Sequence, residues 1–87
     1  VNAADLARIS VSWGGETTEF ALAWETTLGE VERLASEALG INALIGIELW
    51  CVDGTCMSGK LDRTLGEIRE RLICPRRTFE FRPIRST

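Results

Sequence analysis

The 87-residue sequence contains no histidine and no tyrosine, and only one methionine and two prolines. Without histidine it lacks the commonest general acid–base group, and Ser-His-Asp or Cys-His catalysis is excluded within this chain. The carboxylates are scattered along the sequence and form no evident pair, and no P-loop or dinucleotide fingerprint occurs. No catalytic residue, metal ligand or cofactor is therefore expected. No apolar run approaches the ~18 residues needed to cross a bilayer. The opening VNAAD carries no basic stretch of the secretory type. Neither a membrane span nor a membrane partner is expected. The missing initiator methionine reads as the mark of a processed chain or of a domain taken from a longer one. Few prolines and no low-complexity stretch predict order throughout, and the length suits one domain with one core.

What is present is unevenly distributed. Residues 1–59 hold two arginines against nine acids, and residues 60–87 hold eight basic residues against four acids. The halves thus carry −7 and +4, within a net charge of −3. Such asymmetry marks either charges that interleave on folding or two poles that attract unlike partners. Cys51, Cys56 and Cys74 are an odd set of thiols in a chain large enough for a core. That pattern argues against a secreted disulfide framework and for a reducing, cytoplasmic location.

The periodicity supplies the elements. Residues 8–13 alternate, with Ile9, Val11 and Trp13 on one face, and residues 17–24 alternate again, with Phe20, Leu22 and Trp24 together. Gly14-Gly15 joins them as a hairpin turn. From Thr27 the spacing becomes helical, with Leu28, Val31, Leu34 or Ala35, Ala38 and Leu39 on one stripe. Thr27 with Glu30 has the form of a capping box, and Gly40 is placed for a left-handed cap. Residues 47–52 form a strand with Ile47, Leu49 and Cys51 inward and Glu48, Trp50 and Val52 outward. Asp53-Gly54 predicts a type I′ turn into a short fourth strand. Thr64 and Glu67 repeat the capping-box form before Leu65, Ile68 and Leu72, an echo of helix-start grammar and not a structural repeat. Pro75 ends that helix, and TFEFRP gives the last strand, with Phe79 and Phe81 inward. The predicted class is α+β: a mixed four- to five-stranded sheet with one long helix across it and a short second helix.

This order resembles the β-grasp of ubiquitin-like domains across residues 8–83. The likeness rests on the opening hairpin, Thr27, the Gly40-Ile41 pair, the Thr64-Leu65 pair and the strand starting at Thr78. It implies a domain over 8–84 with tails at 1–7 and 85–87. It also implies a non-catalytic protein-interaction domain of a larger adaptor or scaffold. Conjugated relatives end in Gly-Gly, whereas this chain ends Ile84-Arg85-Ser86-Thr87. A modifier is thus a further alternative only if such a tail follows. The recognition positions of ubiquitin's last strand correspond to Glu80 and Arg82, which leaves Trp50 as the apolar member.

The candidate protein-binding residues are accordingly Trp50 with Glu48, Met57, Glu80 and Arg82, on the open face of the sheet. A one-residue register slip, or a loop over the ring, would remove Trp50 from that role. Trp13 and Trp24 fall in phase with core residues and are expected to be structural. Cys51 and Cys56, opposite each other near the turn, would pair as a cross-strand disulfide or pack as buried thiols, the latter being preferred; Cys74 has no evident partner. Arg69, Arg71, Arg76, Arg77, Arg82 and Arg85 form a basic tract, but without interleaved aromatics and at a pI of about 4.9 no nucleic-acid partner is expected. The opposed charge halves leave head-to-tail self-association as the alternative function.

Overall fold

The computed structural model describes residues 5–41 and 46–84; Arg85 and the rest of the C-terminal tail lie outside them. Strand β1 (Ala7–Trp13) pairs antiparallel with β2 (Glu16–Leu22) through the Gly14-Gly15 turn. Both glycines have positive φ, 57° and 86°, as a type I′ turn demands. Helix α1 (Leu28–Ala38), strand β3 (Ile47–Cys51), helix α2 (Leu65–Glu70) and strand β4 (Thr78–Pro83) complete the order, with a 3₁₀ turn at Ser58–Lys60. The four strands form one sheet in the order β2-β1-β4-β3, with β1 and β4 parallel at its centre. The fold is α+β with a mixed four-stranded sheet and two helices. Ala7, the first residue of β1, is fully buried.

Alternation decides which side of the sheet is covered. Ile9, Val11, Leu49, Cys51, Phe79 and Phe81 point inward and share one core with Leu28, Val31 and Ala35 of α1 and Leu65 and Ile68 of α2. The opposite face carries Arg8, Ser10, Ser12, Glu48, Trp50, Glu80 and Arg82, none of which is fully buried. Strand β2 ends at Leu22, two residues short of the expected boundary. Trp24 therefore sits in the connection to α1, half-buried, with the guanidinium groups of Arg69 and Arg77 at 4.7 and 5.3 Å from its ring.

The two TLGE tetrapeptides, residues 27–30 and 64–67, face each other. Thr27 and Thr64 form an isolated antiparallel bridge. Leu28 N–H donates to Arg63 C=O and Gly29 N–H to Leu61 C=O. In return, Leu65 N–H donates to Thr26 C=O and Gly66 N–H to Trp24 C=O. Each helix start thus has its orphan donors satisfied by backbone leading into the other helix. The approach is close: a β-carbon on Gly29 would lie 3.3 Å from Leu61 O, and one on Gly66 3.4 Å from Trp24 O. The threonine half of each capping box forms, with Thr27 and Thr64 accepting from Glu30 N–H and Glu67 N–H, and the Glu67 carboxylate also accepts from Thr64. Both glutamates engage arginines as well. Arg33 beside Glu30, and Arg63 beside Glu67, hold those carboxyls below their ordinary range.

Both helices end in the same way. After α1, Gly40 N–H donates to Glu37 C=O and Ile41 N–H to Ser36 C=O, with Gly40 at φ 67°. After α2, Leu72 N–H donates to Arg69 C=O and Ile73 N–H to Ile68 C=O, with Leu72 at φ 56°. These are Schellman caps, and the second places leucine where glycine is favoured. The expected apolar stripe of α2 is corrected accordingly. The helix stops at Glu70, well before Pro75, and Leu72 swings out to 78% exposure while Ile73 packs against the core. A left-handed L-residue costs roughly 1–2 kcal/mol, partly offset in any glycine variant by a more flexible unfolded chain. Leu72→Gly is expected to raise the unfolding free energy by about 0.5–1 kcal/mol in chemical denaturation, without loss of packing.

The turn after β3 departs from expectation in a way that repositions the site. Asp53 does not take positive φ; only Gly54 does, at 102°. Cys51 C=O accepts from Gly54 N–H, and Cys51 N–H donates to Thr55 C=O, giving a three-residue loop of Val52, Asp53 and Gly54. The extra residue moves the returning chain by one. Cys56 bridges Trp50, Met57 N–H donates to Leu49 C=O, and the predicted fourth strand shrinks to that single bridge. Because a one-residue shift exchanges faces, Met57 enters the core at 0% exposure and Cys56 joins the Trp50 side. The expected opposition of Cys51 and Cys56 is corrected. Cys51, inward at the end of β3, is bonded to Cys74, and Cys56 is the free thiol.

Candidate protein-binding face

Four of the five candidate residues meet on the outer face of β3 and β4. Antiparallel pairing sets Trp50 opposite Glu80 and Glu48 opposite Arg82. The Arg82 guanidinium lies 4.3 Å from the centre of the Trp50 ring and is held there by an Nη2 to Glu80 Oε1 ion pair of 3.3 Å. A stacked guanidinium that is also ion-paired loses little further freedom when a partner engages it. Beneath it the indole Nε1 is shielded from solvent and donates to no described residue. An unsatisfied N–H of this kind costs on the order of 1–3 kcal/mol.

Glu48 serves the fold. Its carboxylate accepts from Ser58 Oγ at 3.0 Å and from Cys56 Sγ at 3.7 Å, tying the 3₁₀ turn to β3. Met57, the fifth candidate, lies on the other side of the sheet for the reason given above. In its place the structure brings Pro83 and Ile84. With Glu48, Trp50 and Arg82 they line a hollow of about 490 Å³, and Ile84 is 53% exposed. The sequence carried the signal for Ile84: continuing the alternation of Glu80 and Arg82 by one step places it on the same face. Its N–H donates to Gly46 C=O at 2.9 Å, which anchors the backbone there.

The hollow combines an indole ring, a proline and an exposed isoleucine with one guanidinium and the Glu48 carboxylate, the latter already engaged by Ser58. That combination favours an apolar side chain of a partner at its centre and an acceptor group at its edge. Among the described residues no group of three or more Cys, Asp or Glu is placed to hold a metal ion, and no helix is long and apolar enough to cross a membrane. No protein-family model and no curated protein sequence matches the chain.

Proposed function

We propose that the chain is a ubiquitin-like interaction domain of a larger adaptor or scaffold, without chemistry of its own, that binds another protein through the hollow at Trp50. The observation that carries this reading is the half-buried Trp50 ring beside exposed Ile84 and Pro83, on the sheet face opposite the one that packs against α1 and α2. The β-grasp assignment draws support from the order β2-β1-β4-β3, the parallel centre and the core shared with α1. A partner acceptor that reached Nε1, which is now shielded from solvent, would satisfy a buried side-chain donor that is unpaired among the described residues.

Charge-driven self-association has less support. On α1, Glu30 and Glu37 both engage Arg33, so this acidic surface is partly neutralised within its own helix. The Cys51–Cys74 bond weighs against the reducing location inferred from the cysteine count, because such bonds are uncommon in cytosolic proteins.

Photo-crosslinking tests the reading. A benzoylphenylalanine at Ile84 is expected to trap a discrete protein from the native source, and the same probe at Arg33, on the exposed side of α1, is not. Arg82→Glu in the Ile84 probe chain should abolish the product. Equal crosslinking from both positions, indifferent to Arg82→Glu, would remove the hollow from consideration.

A further inference from the structure

A second concavity lies at the far end of the same sheet face, and its chemistry is different. Strand β4 first pairs with β1 at Ser10–Thr78, so Ala7, Arg8 and Ile9 of β1 extend beyond the start of its central neighbour. The chain entering β4 turns away there and leaves a hollow of about 380 Å³. Its polar walls are Arg8, Ser10, Glu19, Arg76 and Arg77. Three arginines line this hollow, and among the described residues none of them has an ion-pair partner. Arg33, Arg63 and Arg82, in contrast, are all paired with glutamates. Glu19 is the one acid in the wall.

The arginines are held in position. Cys74 C=O accepts from Arg77 N–H at 2.8 Å, closing a turn with Pro75 and Arg76 at its centre. That turn is fastened to β3 through Cys74 and to β1 through Ser10 N–H to Arg77 C=O, 3.2 Å. Arg77 Nε donates to Arg8 C=O at 3.4 Å, and its guanidinium lies over Trp24. Arg77 also has φ 49°, a left-handed conformation that costs a non-glycine residue roughly 1–2 kcal/mol. Backbone strain of this kind persists where surrounding contacts over-determine it, and functional sites concentrate it.

We propose that this hollow binds a phosphate monoester dianion, presented by a phosphorylated side chain or by a small soluble phosphate. Charge concentrated at one point selects this chemistry. Among the described residues the outer face next to the hollow carries Ser12, Thr17 and Glu80, so the basic charge does not continue along that face as a polynucleotide or a run of carboxylates would need. Planar guanidinium forks match phosphate oxygens in pairs. The site is independent of the Trp50 hollow, and the two readings stand or fall separately.

Arg8 and Arg76 are exposed, and among the described residues their side chains make no hydrogen bond or ion pair, so both can be changed without unfolding the chain. The test is a heteronuclear NMR titration of the oxidised chain at fixed ionic strength. Its probes are inorganic phosphate, a hexapeptide with one central phosphoserine in uncharged flanks, and hexaglutamate. Saturable shifts are expected at the amides of Arg8, Ser10, Ala21 and Arg77. Arg8→Gln with Arg76→Gln should weaken binding by about tenfold or more, and Glu19→Gln should tighten it several-fold. A phosphopeptide that binds better than inorganic phosphate identifies a side chain as the source, and equal affinity identifies a soluble phosphate; either upholds the site. Non-saturating shifts, indifference to the double variant, or tighter binding of hexaglutamate would overturn it.

Discussion

Reduction of the oxidised chain is expected to lower its unfolding free energy by about 3 kcal/mol, and Cys74→Ala and Cys51→Ala should each reproduce the loss. The bond closes a segment with a sequence separation of 23, and restricting the unfolded chain over such a loop contributes roughly 3–3.5 kcal/mol in the chain-entropy account. For a domain of this size that corresponds to a fall of roughly 12–24 °C in Tm. The double variant should lose no more than either single one, because one bond is removed in all three cases. Reductant should then have no further effect on any of them. Cys56→Ser should stay within about 0.5 kcal/mol of the parent and remain sensitive to reductant. The opposite pattern, with sensitivity lost in Cys56→Ser and kept in Cys74→Ala, would restore the Cys51–Cys56 pairing that the spacing suggested.

Met57→Ala is expected to destabilise the chain by about 2–5 kcal/mol, measured by denaturant titration under oxidising conditions. Met57 is fully buried in contact with the inner face, so truncation leaves a cavity beside β3. Cys56→Ala, one position earlier, should cost less than about 1 kcal/mol, because that side chain lies partly exposed beside Glu48. The contrast reads the register of the Val52–Gly54 loop directly. If the loop had two residues, Met57 would stand on the outer face and Cys56 in the core, and the two costs would be exchanged.

Much of the architecture was legible because local signals agreed with one another. Thr27 and Thr64 did begin helices, Gly40 did end one, Gly14-Gly15 did make a hairpin, and the alternation of TFEFRP did put Phe79 and Phe81 inside. What escaped depended on single-residue geometry or on distance along the chain. Asp-Gly is compatible with both two- and three-residue loops, and nothing local distinguishes them, so Met57 and Cys56 were assigned to each other's faces. The partner of Cys74 lies 23 residues away, across a turn whose left-handed residues, Cys74 and Arg77, carry no glycine to announce them. The helical spacing of Leu72 from Ile68 reads as the next step of an apolar stripe; the cap at Arg71 ends that spacing one residue earlier.

The candidate site followed the same rule. Trp50, Glu48, Glu80 and Arg82 were placed on one face by alternation alone, and strand pairing brought them together. The stacking of Arg82 on Trp50 and the capture of Glu48 by Ser58 depend on rotamers and on a neighbouring turn, which no periodicity encodes. The convergence of Arg8 with Arg76 and Arg77 joins residues from opposite ends of the chain. It arises from the parallel pairing of β1 with β4, and it keeps the charges of the basic half from being fully interleaved with acids.

The proposed binding at the Trp50 hollow is tested most directly by affinity for the crosslinked partner. Calorimetry with Ile84→Asp and Trp50→Ala chains, each verified as folded, should show Kd raised by about 30-fold or more, as expected when a buried anchor is lost. A folded Trp50→Ala chain that keeps the parent affinity, together with an Ile84→Asp chain that does the same, would contradict it.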